Sequence, residues 1–190
     1  MALKIFEKII FEKNIFSKDA LPAGEYENCT FRNCSFADAD LSDITFIDCK
    51  FEHCNLSMTK LRNTALKSVK FFNCKLLGLN FGDSNHFLLS LYFENCLLNL
   101  ASFYKLKLKG TRFINCELQE TDFTAADLTL SIFENCNLER AIFDGTILEK
   151  ANFSTSFHYS IDPTINRIKK ARFSKDGLAG LLDKYDIEID

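Results

Sequence analysis

The side chains best suited to bind a metal or act as nucleophiles in this 190-residue chain are eight cysteines and three histidines. Six cysteines close the same tetrapeptide: Phe31-Arg32-Asn33-Cys34, Phe51-Glu52-His53-Cys54, Phe71-Phe72-Asn73-Cys74, Phe93-Glu94-Asn95-Cys96, Phe113-Ile114-Asn115-Cys116 and Phe133-Glu134-Asn135-Cys136. Zinc sites built on cysteine use close Cys-x-x-Cys pairs or a histidine cluster, and neither occurs here. Stacked segments about 4.8 Å apart would bring these thiols into contact without the crossed geometry of a disulfide. The expected role is inert packing as small hydrophobes, with no metal and no cofactor. Ser154, His158 and Asp162 are four residues apart and have the residue types of a nucleophile, a base and an orienting acid. Their stretch is irregular and has no oxyanion motif, so they read as solvated residues and no catalytic set is assigned. Paired acids such as Asp38 and Asp40 read as outward polar positions, and the phosphate-loop, zinc and nucleophile-elbow motifs are absent.

The elements that carry these residues follow from the spacing. The tetrapeptides recur every 20 residues, with one interval of 22. A fixed period of this length marks a stacked repeat. Within each unit a large apolar residue returns every fifth position, as in Tyr26, Phe31, Phe36, Leu41, Phe46 and Phe51. After the slip the beat resumes, with Phe and Leu alternating from Phe93 through Leu98, Phe103 and Leu108 to Phe153. A period of five fits neither a helix nor a simple strand. It fits a chain that turns a corner every five residues and closes a square coil in twenty, each centre pointing at the axis. The residue two before each centre is small (Cys, Ala, Thr or Ser), or apolar at Ile44, Leu79, Leu91 and Leu106, leaving room for the neighbouring large side chain. Phe31, Phe51, Phe71, Phe93, Phe113, Phe133 and Phe153 are the expected core ladder, with the six cysteines as a second ladder beside it; Cys29 and Cys49 start another column.

Ala39-Asp40-Leu41, Ala126-Asp127-Leu128 and Ala151-Asn152-Phe153 carry the motif of a small residue, Asp or Asn, then Leu or Phe. In this the chain resembles the pentapeptide-repeat family over roughly residues 26–153. The resemblance implies an all-β fold, a right-handed quadrilateral β-helix.

The whole chain reads as one solenoid domain. Residues 1–24 keep the beat with irregular small positions and form a degenerate first coil or an N-terminal cap. Residues 25–81 are regular coils. Residues 82–90 hold a two-residue insertion, expected as a bulged corner with Leu88 as its centre. Residues 91–153 are regular again, and 154–190 form a C-terminal cap. In that cap a short helix is expected over about 175–185, Ser174 at its start and Leu178, Leu181, Leu182 and Tyr185 on one face. Gly177 and Gly180 would weaken it. Ile187-Glu188-Ile189 alternates like a final strand. The helix either caps the last coil or pairs two subunits, with Ile187 added to the candidate dimer interface. No apolar run approaches the ~20 residues of a membrane span, and no signal peptide is read at the N-terminus, so a cytoplasmic protein without membrane contact is expected.

The formal net charge of −3 conceals banding. Residues 19–52 hold eight acids against Arg32 and Lys50. Residues 53–112 hold nine bases against Asp83 and Glu94. Residues 113–149 hold Glu117, Glu120, Asp122, Asp127, Glu134, Glu139, Asp144 and Glu149 against Arg140. In a solenoid, sequence order is axial order, so the rod is acidic, basic, then acidic. Cys54-Asn55-Leu56-Ser57-Met58, Leu61-Arg62-Asn63, the interrupted stack near 82–90 and the C-terminal helix are similar to Qnr-type quinolone-resistance proteins. That resemblance implies a non-enzymatic DNA mimic, dimeric through its C-terminus, that binds DNA gyrase or topoisomerase IV. The eight acids of the last band are then the candidate partner surface, and direct nucleic-acid binding is not implied. The chain departs from those proteins in lacking long projecting loops and in its basic middle. The alternative is a scaffold for an unrelated protein partner.

Overall fold

The computed structural model describes residues 4–188. The chain winds into a parallel β-solenoid of square cross-section. The short strands β1 (Ile5–Glu7), β3 (Glu25–Glu27), β5 (Thr45–Ile47) and β7 (Ala65–Lys67) stack into one four-stranded parallel sheet. On another face β2 (Ile10–Glu12), β4 (Thr30–Arg32), β6 (Lys50–Glu52), β8 (Val69–Phe72), β9 (Leu91–Glu94), β10 (Arg112–Ile114), β11 (Ile132–Glu134), β12 (Asn152–Phe153) and β13 (Arg172–Phe173) form a nine-stranded sheet. The other two faces are held by single parallel bridges, such as Lys75↔Leu97↔Glu117↔Asn137 and Asn80↔Ser102↔Asp122↔Ile142. Following the chain, we call the nine-stranded face the first, these bridge-linked faces the second and third, and the face of β1–β7 the fourth.

Register carries the five-residue beat into the core. Phe31 pairs with Phe51 and Phe51 with Phe71, 20 residues apart, and then Phe71 with Phe93, 22 apart. Like side chains therefore stack. The Phe113 and Phe133 rings lie 4.8 Å apart and 8° from parallel. Across the corner, Phe113 meets Phe123 edge-on at 5.8 Å and 84°. Offset stacks along each column and edge contacts between columns are the two favourable aromatic geometries, each adding about 0.5–1.5 kcal/mol beyond the area it buries. Ile44, Leu79, Leu91 and Leu106 are buried with the rest of the core.

Three local features differ from expectation. The insertion lies between Asn85, which still bridges to Ala65, and Leu91, which pairs with Val69. Within it Leu88 is not a centre: it has φ +57° and is 64% exposed, while Leu89 packs on the core. The expected helix is two short 3-10 turns, Leu178–Leu181 and Asp183–Tyr185. Ser174 does open the stretch, its Oγ accepting the Gly177 N–H at 3.0 Å, but neither turn has a side-chain cap at its own first residue, and the backbone there bonds to the solenoid, Ile161 N–H donating to Gly180 O at 2.8 Å. Ile187 and Glu188 form no strand, and Ile189 lies outside the described residues.

Candidate protein-binding surface

The interior holds the groups that first suggested chemistry. All eight cysteines are free and buried. Seven of the eight thiols donate to a carbonyl in the preceding coil, among them Cys54 to Phe31 at 3.3 Å, Cys74 to Phe51 at 3.4 Å and Cys136 to Phe113 at 3.3 Å, while Cys116 donates to Ile114 O of its own coil at 3.3 Å. Thr59, Thr64, Thr121, Ser131, Thr146 and Ser156 make the same bond from the same position, as in Thr121 Oγ1 to Leu98 O at 2.9 Å. Cysteine, threonine and serine thus interchange because each is small and carries a donor. Burial pushes the Cys49 thiol up to about 12. The adjacent Cys54 and Cys96 thiols, and then burial, raise that of Cys74. Such thiols are poor nucleophiles. No cluster of three metal-ligating side chains occurs among the described residues.

Ser154, His158 and Asp162 fall on successive parts of the square and are not brought together. Ser154 Oγ is bonded to Asn152 Oδ1, and His158 Nδ1 lies 3.2 Å from Asn137 Oδ1. Asp162 Oδ1 faces Lys184 Nζ at 2.8 Å, which holds its carboxyl down at about 2. His53 and His158 occupy left-handed corners, at φ +54° and +59°. His86 Nε2 lies 3.0 Å from Gly82 O.

The eight acids of the 113–149 band do not share one surface. Glu134 lies on the nine-stranded face. Glu117 and Glu139 flank the second face, with Glu120 at its corner. Asp122 and Asp144 flank the third, and Asp127 and Glu149 the fourth. Three of them meet cations: Glu120 with Arg140 at 3.1 Å, Glu149 with Arg167 at 2.6 Å and Glu134 with Arg112 at 4.0 Å. Glu117 and Glu139 accept bonds from Asn137 and Gln119 at 3.0 and 2.7 Å. Asp122, Asp127 and Asp144 form no ion pair among the described residues. Asp127 and Asp144 border the edge between the third and fourth faces, beside the Ala125 and Gly145 corners, while Asp122 lies at the opposite end of the third face; Asp122 and Asp127 accept the N–H of Thr124 and Thr129 at 2.8 and 3.0 Å.

The candidate dimer residues also divide. Leu181 packs on the core, and Leu182 is half-buried. Leu178, Tyr185 and Ile187 are 48%, 54% and 55% exposed. Two features were missed from the sequence. The asparagine of the tetrapeptide is the left-handed corner residue, with φ +54° at Asn73 and Asn95, and it bonds to its counterpart, Asn115 Nδ2 donating to Asn95 Oδ1 at 3.1 Å. Asparagine tolerates that conformation better than most residues, a cue available by counting two places beyond each centre. The other is the outward pair Phe87 and Leu88, hidden by assigning Leu88 to the core.

Four faces of parallel strands and bridges, closed around stacked columns of Phe and Leu, define a quadrilateral β-helix. Residues 25–91 and 86–157 match the family described as the pentapeptide repeat region, and the chain belongs to that pentapeptide-repeat family. No curated protein matches it in sequence. Among solved structures it is similar to a trypsin-treated variant of QnrB1, described as a plasmid-mediated fluoroquinolone resistance protein. The identity is 21%, over 98% of this chain and 100% of that one, with a TM-score of 0.45. It is also similar to HetL, a pentapeptide repeat protein involved in heterocyst differentiation regulation in the cyanobacterium Nostoc sp. strain PCC 7120, at 16% identity over 91% and 90% of the chains and a TM-score of 0.35. A pentapeptide repeat protein of the Arabidopsis thaliana thylakoid lumen matches at 24% identity over 63% and 65%, with a TM-score of 0.25. No helix among the described residues is long and apolar enough to cross a membrane.

Proposed function

We propose that this protein is a non-enzymatic binding rod that imitates duplex DNA toward a type II topoisomerase, DNA gyrase or topoisomerase IV, and through that contact counters quinolones. The observation that supports this reading is that Asp122, Asp127 and Asp144, on the third and fourth faces, have no ion-pair partner among the described residues. A rigid β-helix holds these carboxylates at fixed spacing, and a protein saddle that normally grips phosphates would be drawn to them. Glu120, Glu134 and Glu149 contribute less, because arginines already face them. Dimerisation through Leu178, Tyr185 and Ile187 about a two-fold axis, the commonest oligomer symmetry, would place two such sets of carboxylates either side of the centre of a longer rod. The basic bands would then lie further out. Supercoiling by gyrase, with and without a fluoroquinolone and titrated with this protein, tests the reading. Relief of drug inhibition supports it, and indifference of the enzyme at every concentration favours a scaffold for another protein. The basic middle of the rod is the observation that favours that second reading.

A further inference from the structure

The most exposed large apolar pair in the rod sits where the coils slip register. Phe87 and Leu88 are 69% and 64% exposed, side by side on the fourth face. The two inserted residues push them outward, and the bulge is fixed. Asn85 Oδ1 accepts the Phe87 N–H at 2.9 Å, Asn85 Nδ2 donates to Asn63 Oδ1 at 3.2 Å, and Leu89 anchors the exit on the core. Cations surround this tip. Lys67 Nζ lies 6.0 Å from the centre of the Phe87 ring. The next coil of the same face carries Lys107 and Lys109, both exposed. Around one corner Lys70 and Arg112 flank Tyr92 in the β8–β9–β10 register, and around the other is Lys105. None of the five lysines is within ion-pair distance of a carboxylate among the described residues.

We propose that the Phe87–Leu88 tip and its basic surround dock the rod peripherally on an anionic lipid surface. This goes beyond the topoisomerase reading and uses a different stretch of the rod. A fixed apolar tip that enters the headgroup layer, with cations spread around it on a broad plane, is the chemistry of interfacial binding to anionic bilayers. A single-stranded nucleic acid would need a track of aromatic platforms, and Leu88 offers no flat face on which a base could stack. The charges spread over two faces and a corner, wider than the rim of a pocket that would hold two side chains. Because the tip is already ordered, docking loses little conformational freedom.

The test is co-sedimentation of the full chain with vesicles of phosphatidylcholine alone and with about one-third phosphatidylserine. Binding is expected only to the anionic vesicles and should fall as salt rises. Phe87→Ser with Leu88→Ser, and separately Lys107→Glu with Lys109→Glu, should each lower it by about tenfold or more. Both pairs lie on the surface, so the unchanged far-ultraviolet circular dichroism expected of each serves as its control, and either pair alone decides the matter if the other misfolds. Absence of binding to anionic vesicles overturns the proposal, as does equal binding by a folded variant. Binding of an oligothymidylate in place of vesicles, lost in the Phe87→Ser variant, overturns it in favour of nucleic acid.

Discussion

The backbone of Gly180 passes so close to Tyr159 that a side chain there would strike the Tyr159 carbonyl oxygen. The same tail is tied down by the Ile161 N–H, which donates to Gly180 O at 2.8 Å. Gly177 is constrained likewise, since its Cβ would collide with the Tyr159 hydroxyl. These glycines exist for close approach. Gly180→Ala in a free helix would stabilise by about 1 kcal/mol. Here it should destabilise the cap by about 1–3 kcal/mol through overpacking. Chemical denaturation of the variant gives the sign; a rise in midpoint would show that the tail does not sit on Tyr159.

The stacked core makes a second expectation. Phe113 is wholly buried between Phe93 and Phe133, with centroids 5.1 and 4.8 Å away. Phe113→Ala should cost about 3–5 kcal/mol by leaving a cavity. Asp144→Asn, on the surface, should cost less than about 0.5 kcal/mol. Comparable losses in urea titrations would contradict the inward and outward assignment.

The thiols should be silent in the native protein. A thiol-specific chromogenic reagent should find none of the eight fast-reacting and all eight after unfolding, because each is buried. Several fast native thiols would mean that the cysteine columns are open to solvent.

Acid should loosen the C-terminal cap before the rod. Lys184 depresses the Asp162 pKa to about 2, below the ordinary carboxylate value of about 3.9. The pair therefore contributes fully above about pH 4 and is lost as pH falls through about 2. Asp162 raises the Lys184 pKa in turn, so at the other extreme the contribution is lost as pH rises through that raised value. Exchange protection of the Ile161 amide, corrected for intrinsic rate, should fall over the acidic window in the wild type. In Lys184→Met it should be lower at neutral pH and change less. Identical profiles would show that the ion pair does not hold the tail.

Much of this was legible in the residue pattern because a solenoid converts sequence period directly into space. The alternation of Phe93, Leu98, Phe103 and Leu108 gave the four-cornered coil, and the change of interval from 20 to 22 residues gave the insertion. Position within the insertion was not legible: Leu88 and Leu89 are both apolar, and only the backbone decides which turns inward. Gly177 and Gly180 were read by helix propensity, while tertiary contact with Tyr159 sets their role. The acidic band was read along the axis alone. Counting fives would have shown that Glu117 and Asp127 face different sides, but not that Arg140, Arg167 and Arg112 engage Glu120, Glu149 and Glu134.

Pairing of two chains can be separated from capping. Leu178 and Ile187 are exposed while Leu181 packs on the core. Leu178→Asp with Ile187→Asp should convert a dimer to a monomer without lowering the melting temperature of the rod, as followed by light scattering. A wild-type monomer at tens of micromolar would remove the two-fold arrangement.

The most direct measurement is the equilibrium affinity of purified DNA gyrase for this protein and for a variant with Asp122, Asp127 and Asp144 each changed to Lys. The account predicts wild-type binding that weakens as salt rises, and a loss of about a hundredfold or more in the variant while its melting temperature is kept. No measurable wild-type affinity, or an affinity unchanged by the three reversals, would contradict it.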